Sequence, residues 1–223
     1  MDKSTFFNIE KSISPERLAA YKADGASDET ALARYIYNIE LSKSLYPIIN
    51  IFEVTLQNSI DKALAKFFDA PEWNDVIPLT DTEKRMIDEA KTKIVQKNQT
   101  YSHNRLVSQL TLGFWVALMG RKYNTQKFQF FIIKNIFHGC SSEQKSTTAV
   151  QKNLNEIRFL RNRIAHHRRI LHWTDLNQKH DLILDFIYWM SQDMHKIAVK
   201  NDTFDAVFKN GIAPFERFVM DEL

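Results

Sequence analysis

From Asp28 to about Phe68, apolar residues recur every three or four positions. Leu32, Tyr35, Ile36, Ile39, Leu45, Ile48, Ile49, Phe52, Leu56, Ile60, Ala63 and Leu64 carry the pattern. This is the period of a helix that buries one face. The chain as a whole holds only 5 Gly and 5 Pro in 223 residues, too little turn punctuation for an all-β sandwich or a repeat-rich barrel. With 44% hydrophobic and 26% charged residues it has the composition of a folded globular protein, not of a disordered one. No fixed-period repeat, low-complexity tract or linker-like composition shift divides it. The fold class read from these features is all-α, in a single helical domain.

Local signals place further helices. Ser14-Pro15-Glu16-Arg17 opens a short one that Gly25 ends. Pro47 is expected to break or kink the long helix near Tyr46. Pro71 and Pro78 mark a loop, and Thr80-Asp81-Thr82-Glu83 forms a capping box for a helix reaching about Asn98. Residues 102 to 119 read as one helix ending at Gly120, and 126 to 137 as another. Ser141-Ser142-Glu143-Gln144 is a second capping box, opening a helix that ends near Leu171. The remaining helices are expected over 175–198, 202–209 and 214–222.

Several function classes have no support. There is no GxGxxG, GxxxxGK, HExxH or GxSxG string and no EF-hand loop. The single cysteine, Cys140, cannot form an internal disulfide or a cysteine-based zinc site and reads as a reduced intracellular thiol. The N-terminus lacks the apolar core of a signal peptide, and the apolar stretch from Leu112 to Met119 falls far short of a membrane span of about 20 residues. A soluble, cytoplasmic protein with no membrane association is expected. His103, His138, His180 and His195 are scattered and read as surface or core residues without acid–base partners.

Net charge is only +3, yet it is unevenly spread. Residues 156 to 172 hold five arginines (158, 161, 163, 168, 169) and three histidines (166, 167, 172) against one acid. On a helix turning about 100° per residue, Ile157, Leu160 and Leu171 cluster within about 40° of Ile164. Arg158, Asn162, His166 and Arg169 then fall within about 60° of the opposite pole, with Phe159 and Ile170 towards that side. An apolar pair beside a polar stripe is compatible with a subunit contact.

Histidine titrates near neutrality and arginine grips phosphate oxygens with paired hydrogen bonds. The two together suit RNA cleavage without a metal: a base takes the 2′-OH proton, that oxygen attacks phosphorus, and a cation stabilises the charge that develops. A solvated basic helix face is the plainer alternative. A metal site built from His166, His167, His172 and Asp175 matches no ligand-spacing template.

Arg161-Asn162-Arg163-Ile164-Ala165-His166 fits the arginine–polar–three-residue–histidine motif of the HEPN superfamily. Extended to His167, it resembles the Abi-like (abortive infection) branch of bacterial HEPN proteins. Phe52-Glu53-Val54-Thr55-Leu56-Gln57-Asn58 resembles the early helix of that branch, where arginine usually stands in place of Gln57. Leu112-Gly113-Phe114-Trp115-Val116-Ala117-Leu118 resembles its central Gly-Phe-Trp segment. The likeness covers roughly residues 30–190.

The resemblance implies a HEPN-like helical-bundle core over a single domain 1–223, with 1–27 as an N-terminal extension and 200–223 as C-terminal helices. It implies metal-independent endoribonuclease activity in phage defence, with no cofactor and no metal. Carried onto matching positions, Arg161 and His166 are the catalytic pair and Asn162 supports them. His167, Arg158, Arg168 and Arg169 fall to substrate binding.

Arg161 and His166 point about 140° apart on an ideal helix. A homodimer across that helix, with the mate supplying the complementary group, is therefore expected. The alternative function is a non-catalytic RNA-binding or toxin-partner helical module, and a neutralising protein partner is compatible with either. A third reading is a structural protein forming helical assemblies, with the aromatic residues, Phe114 and Trp115 among them, serving packing.

Overall fold

The computed structural model describes residues 3–141 and 143–223. These form α1 (Lys3–Ile13), α2 (Pro15–Ala19), α3 (Asp28–Phe68), α4 (Asp81–Gln96), α5 (His103–Gln109), α6 (Leu112–Leu118), α7 (Lys127–Ile136), α8 (Thr147–Ala165), α9 (Leu176–Met190), α10 (Gln192–Asn201), α11 (Phe204–Asn210) and α12 (Ala213–Glu222). Short 3-10 turns occur at Ala23–Gly25, Trp73–Asp75 and Arg121–Tyr123, and there is no strand among the described residues. The fold class is all-α.

The helices group into two compact units. One comprises Met1–Ile48, Leu160–His180 and Asn201–Leu223; the other comprises Ile49–Phe159 and Asp181–Lys200. The unit boundaries fall within α3, α8, α9 and α10.

In the first unit, Phe6 of α1, Leu18 of α2, Tyr21 and Ala31 of α3 form one buried cluster, against which Ile13, Tyr35 and Leu171 pack. Leu32, Ala33 and Val219 of α12 form a second, flanked by Ile9, Ile36 and Phe215. The N-terminal stretch is therefore built into this unit's core. Phe6, Ile9 and Ile13 follow the three-and-four spacing of a helix face turned towards the core.

The second unit is rich in aromatic packing. Trp73 stacks on Phe114 at 6.2 Å and meets Trp115 edge-on at 5.9 Å. Phe114 is 0% and Trp115 1% exposed, so both are core residues.

Helix existence follows the sequence; several helix ends do not. The expected break at Pro47 does not occur, and α3 runs through it. A mid-helix proline costs about 3 kcal/mol. Leu45, Ile48, Ile49 and Phe52 around it are 4% exposed or less. At about 1.5–3 kcal/mol for each such side chain, burial outweighs that cost.

The expected helix over 102–119 is instead α5 and α6, because Leu110 (ψ 131°) and Thr111 (ψ 160°) are extended. Leu110 and Leu112 are both buried, at 5% and 4%. An unbroken helix would turn them about 200° apart, so an extended step lets both reach the interior.

The helix expected over 175–198 divides into α9 and α10 at Ser191, whose Oγ accepts the Met194 N–H at 3.3 Å. Around residue 141 the Ser141 and Gln144 bonds of a capping box do form. They close a turn, however, and α8 begins only at Thr147, where Ser146 Oγ accepts the Ala149 N–H at 3.1 Å. Ser142, part of that expected box, lies outside the described residues.

Candidate functional site

The basic segment leaves the helix earlier than its spacing predicts. α8 ends at Ala165, not near Leu171. Its last turn closes with the His167 N–H on Ile164 O (3.0 Å) and the Arg168 N–H on Arg163 O (2.8 Å). This pair of bonds is the Schellman arrangement, whose turning residue is left-handed and usually glycine. Here that residue is His167, at φ 52°. The helical face drawn for Arg169, Ile170 and Leu171 therefore does not exist. Ile170, expected towards the exposed side, is 0% exposed.

Specific side chains hold the loop that follows. Arg163 Nε and Nη2 both donate to Arg169 O, at 3.1 and 2.6 Å. Its guanidinium also lies over the Trp173 ring, 5.4 Å from the centroid. Asn38 of α3, 5% exposed, accepts the Ile170 N–H at 2.7 Å and the Leu171 N–H at 3.2 Å through one oxygen. Arg169 Nη1 donates to Ala20 O, while Arg34 Nη1 donates to Tyr21 O and Ala23 O. Two arginines thus anchor the 20–23 backbone and one anchors the loop. His166, His167 and Arg168 are left exposed at the helix end.

Beside this loop lies a cleft of about 780 Å³. Ser14, Glu16, Arg17, Ala20 and Tyr21 line it on the N-terminal side, and Arg163, His166, His167, Arg168, Arg169 and His172 on the other. Four guanidiniums and three imidazoles face a single carboxylate. Burial, together with Arg169 and Arg163, lowers the His172 pKa, so this imidazole is neutral at neutral pH and presents a lone pair. Burial and the neighbouring Tyr35 push the Tyr21 hydroxyl up, partly offset by Arg169, Arg17 and Arg163.

Of the residues assigned from sequence, the cleft gathers His166, His167, Arg168 and Arg169. Arg161, Asn162 and Arg158 are not among its lining residues. Arg161 Nη1 donates to Asn162 Oδ1 at 3.4 Å, and both side chains are half-buried. Arg158 belongs to the second unit, where its Nη2 donates to Asn155 Oδ1 at 3.2 Å. Arg169, assigned to substrate, lines the cleft and also holds backbone through Nη1. Arg17, in the cleft wall, was read from sequence only as part of a helix start. The one sequence signal for it was its charge, 144 positions before Arg161.

Other expectations are corrected by the contacts. His103 and His180 do have acidic partners: His103 Nε2 lies 2.7 Å from Asp61 Oδ1, and His180 Nε2 lies 2.6 Å from Asp202 Oδ2. Asp61 Oδ1 also accepts the Trp73 indole N–H at 2.7 Å, and His180 stacks on Phe204 at 4.5 Å. Both pairs tie elements together within their own units. Asp175 pairs with Lys179 at 3.0 Å. Among the described residues no three His, Cys, Asp or Glu side chains are grouped to hold a metal, so His166, His167, His172 and Asp175 form no such set. Cys140 is buried, which raises its thiol pKa against the opposing pull of Lys145.

An all-helical protein with a cationic, histidine-bearing cleft is what fold and site define. The chain belongs to the Abi-like protein family, whose model matches residues 4–172, from α1 to the last histidine of the cleft. No curated protein and no solved structure matches it. Among the described residues no helix is long and apolar enough to cross a membrane.

Proposed function

We propose that this protein is a metal-independent endoribonuclease of HEPN type acting in abortive infection. The observation that carries the reading is the placement of His166: exposed, at the end of α8, on a cleft lined by guanidiniums. Membership of the Abi-like family supports the defence role. The Arg161-Asn162 … His166 string supports the HEPN assignment.

His166 takes the proton from a ribose 2′-OH. The 2′-oxygen attacks the adjacent phosphorus, the 5′-oxygen leaves with a proton returned to it, and a 2′,3′-cyclic phosphate remains. A guanidinium brought to the same phosphorus stabilises the charge on the phosphorane-like transition state. RNA supplies its own nucleophile, so no serine or cysteine is needed. Because Arg161 does not line the cleft that holds His166, a twofold mate is the source we assign for a second motif at the same phosphate.

That same separation favours a second reading, an RNA-binding or toxin-partner module without catalysis. His166→Ala separates the two. Loss of a general base lowers the rate by about 10²–10⁴-fold. Sequencing of RNA ends after induced expression, wild type against His166→Ala, is expected to show cleavage sites that vanish in the variant. Identical cleavage patterns would remove His166 from the mechanism, and no cleavage by wild type would leave the binding module.

A further inference from the structure

The cleft holds four guanidiniums, but they are not equally available. Arg163 spends Nε and Nη2 on Arg169 O. Arg169 spends Nη1 on Ala20 O. Among the described residues no hydrogen bond or ion pair engages the guanidinium of Arg17 or of Arg168, and both residues are exposed. Arg17 stands on α2 and Arg168 on the loop after α8, so the two available cations come from opposite walls of one cleft.

The rest of the lining narrows the ligand. Glu16 is the sole carboxylate, so the free guanidiniums are not neutralised from within. Tyr21, the one Tyr, Phe or Trp in the lining, is 3% exposed and packs edge-on against Tyr35 at 5.6 Å. No phenyl or indole face is therefore offered to a base, and recognition in this cleft rests on charge and on guanidinium hydrogen bonds. Those bonds match phosphate oxygens in geometry. The cleft volume of about 780 Å³ lies within the roughly 300–1,000 Å³ of ligand clefts.

We propose that Arg17 and Arg168 form a phosphate-binding subsite beside His166 that takes a phosphodiester flanking the one cut. The inference rests on the ribonuclease reading for its substrate and makes Arg17 a substrate-positioning residue. Arg17 contributes to the local fold through its backbone N–H, which Ser14 Oγ accepts at 3.3 Å. Replacing its side chain therefore leaves that cap in place.

The test uses the full chain and a fluorescent single-stranded RNA made uncleavable by 2′-O-methyl groups, titrated across a range of salt. Each phosphate contact on a single strand contributes about 0.7 to the slope of log affinity against log salt. Arg17→Gln and Arg168→Gln are each expected to weaken binding several-fold and to lower that slope by about 0.7, with unchanged Tm. On cleavable RNA, Arg17→Gln is expected to raise KM and spare kcat. Wild-type affinity and slope in Arg17→Gln overturn the subsite while leaving the ribonuclease reading intact. If wild type binds no RNA but binds inorganic pyrophosphate by calorimetry, and Arg17→Gln abolishes this, the subsite stands and the ribonuclease reading falls. Binding of neither probe by wild type overturns both.

Discussion

His167 occupies a backbone position that favours glycine. At φ 52° its side chain crowds the following carbonyl, a cost of about 1–2 kcal/mol for a residue in the left-handed region. Histidine is tolerated there better than most residues, so the lower figure applies. Replacing it by glycine removes that strain and forfeits an imidazole on the cleft. His167→Gly is expected to leave Tm unchanged or raise it by a few degrees, while RNA affinity falls. A thermal melt and a binding titration on the same preparation check both halves. A drop in Tm would mean that the ring, not the turn, carries stability here. The sequence could not disclose this position: helix ends of this kind are recognised by a glycine, and Gly is absent from 140–210.

At the scale of elements, the loop after α8 is tied to α3 by one amide side chain. Asn38 accepts two backbone N–H groups 132 and 133 residues away. Asn38→Leu keeps the volume but leaves those donors unsatisfied in a buried place, at about 1–3 kcal/mol. We expect a fall of that size in the unfolding free energy from urea titration and faster amide exchange at Ile170 and Leu171, with exchange within α12 following only the global change. α3 itself was legible because its apolar period runs on through Pro47. The ends of α5, α8 and α9 were not, since each is set by which side chain a turn lets into the interior or by a serine or histidine at the joint. The cleft was half legible for the same reason. Residues local to the motif, His166 to Arg169, could be gathered from one string, whereas Arg17 joins the cleft, and Asn38 the loop beside it, only through the tertiary fold.

At the scale of the whole molecule, the burial of His172, together with the cations crowded around it, makes stability depend on pH. Its folded-state pKa lies below the ordinary value of about 6.5. Above that value the imidazole is neutral in both states and nothing is lost. As pH falls from there through the folded-state pKa, the unfolded chain binds a proton more readily and stability declines. His172→Gln is expected to flatten the fall in urea midpoint between pH 7.5 and 5; an unchanged slope would assign the acid sensitivity elsewhere. The same crowding shows why a count of arginines overstates the N–H donors offered to a ligand: Arg34, Arg163 and Arg169 commit donors to carbonyls. These links also carry a consequence for timing. Arg169 reaches back 149 residues to Ala20 and Ile170 reaches back 132 to Asn38. A ribosome adding about 5–20 residues per second needs roughly 7–26 s to cover the shorter gap. Until then the nascent chain has the receiving amide and no loop to receive, so the cleft is completed only after its two widely separated stretches have both been made.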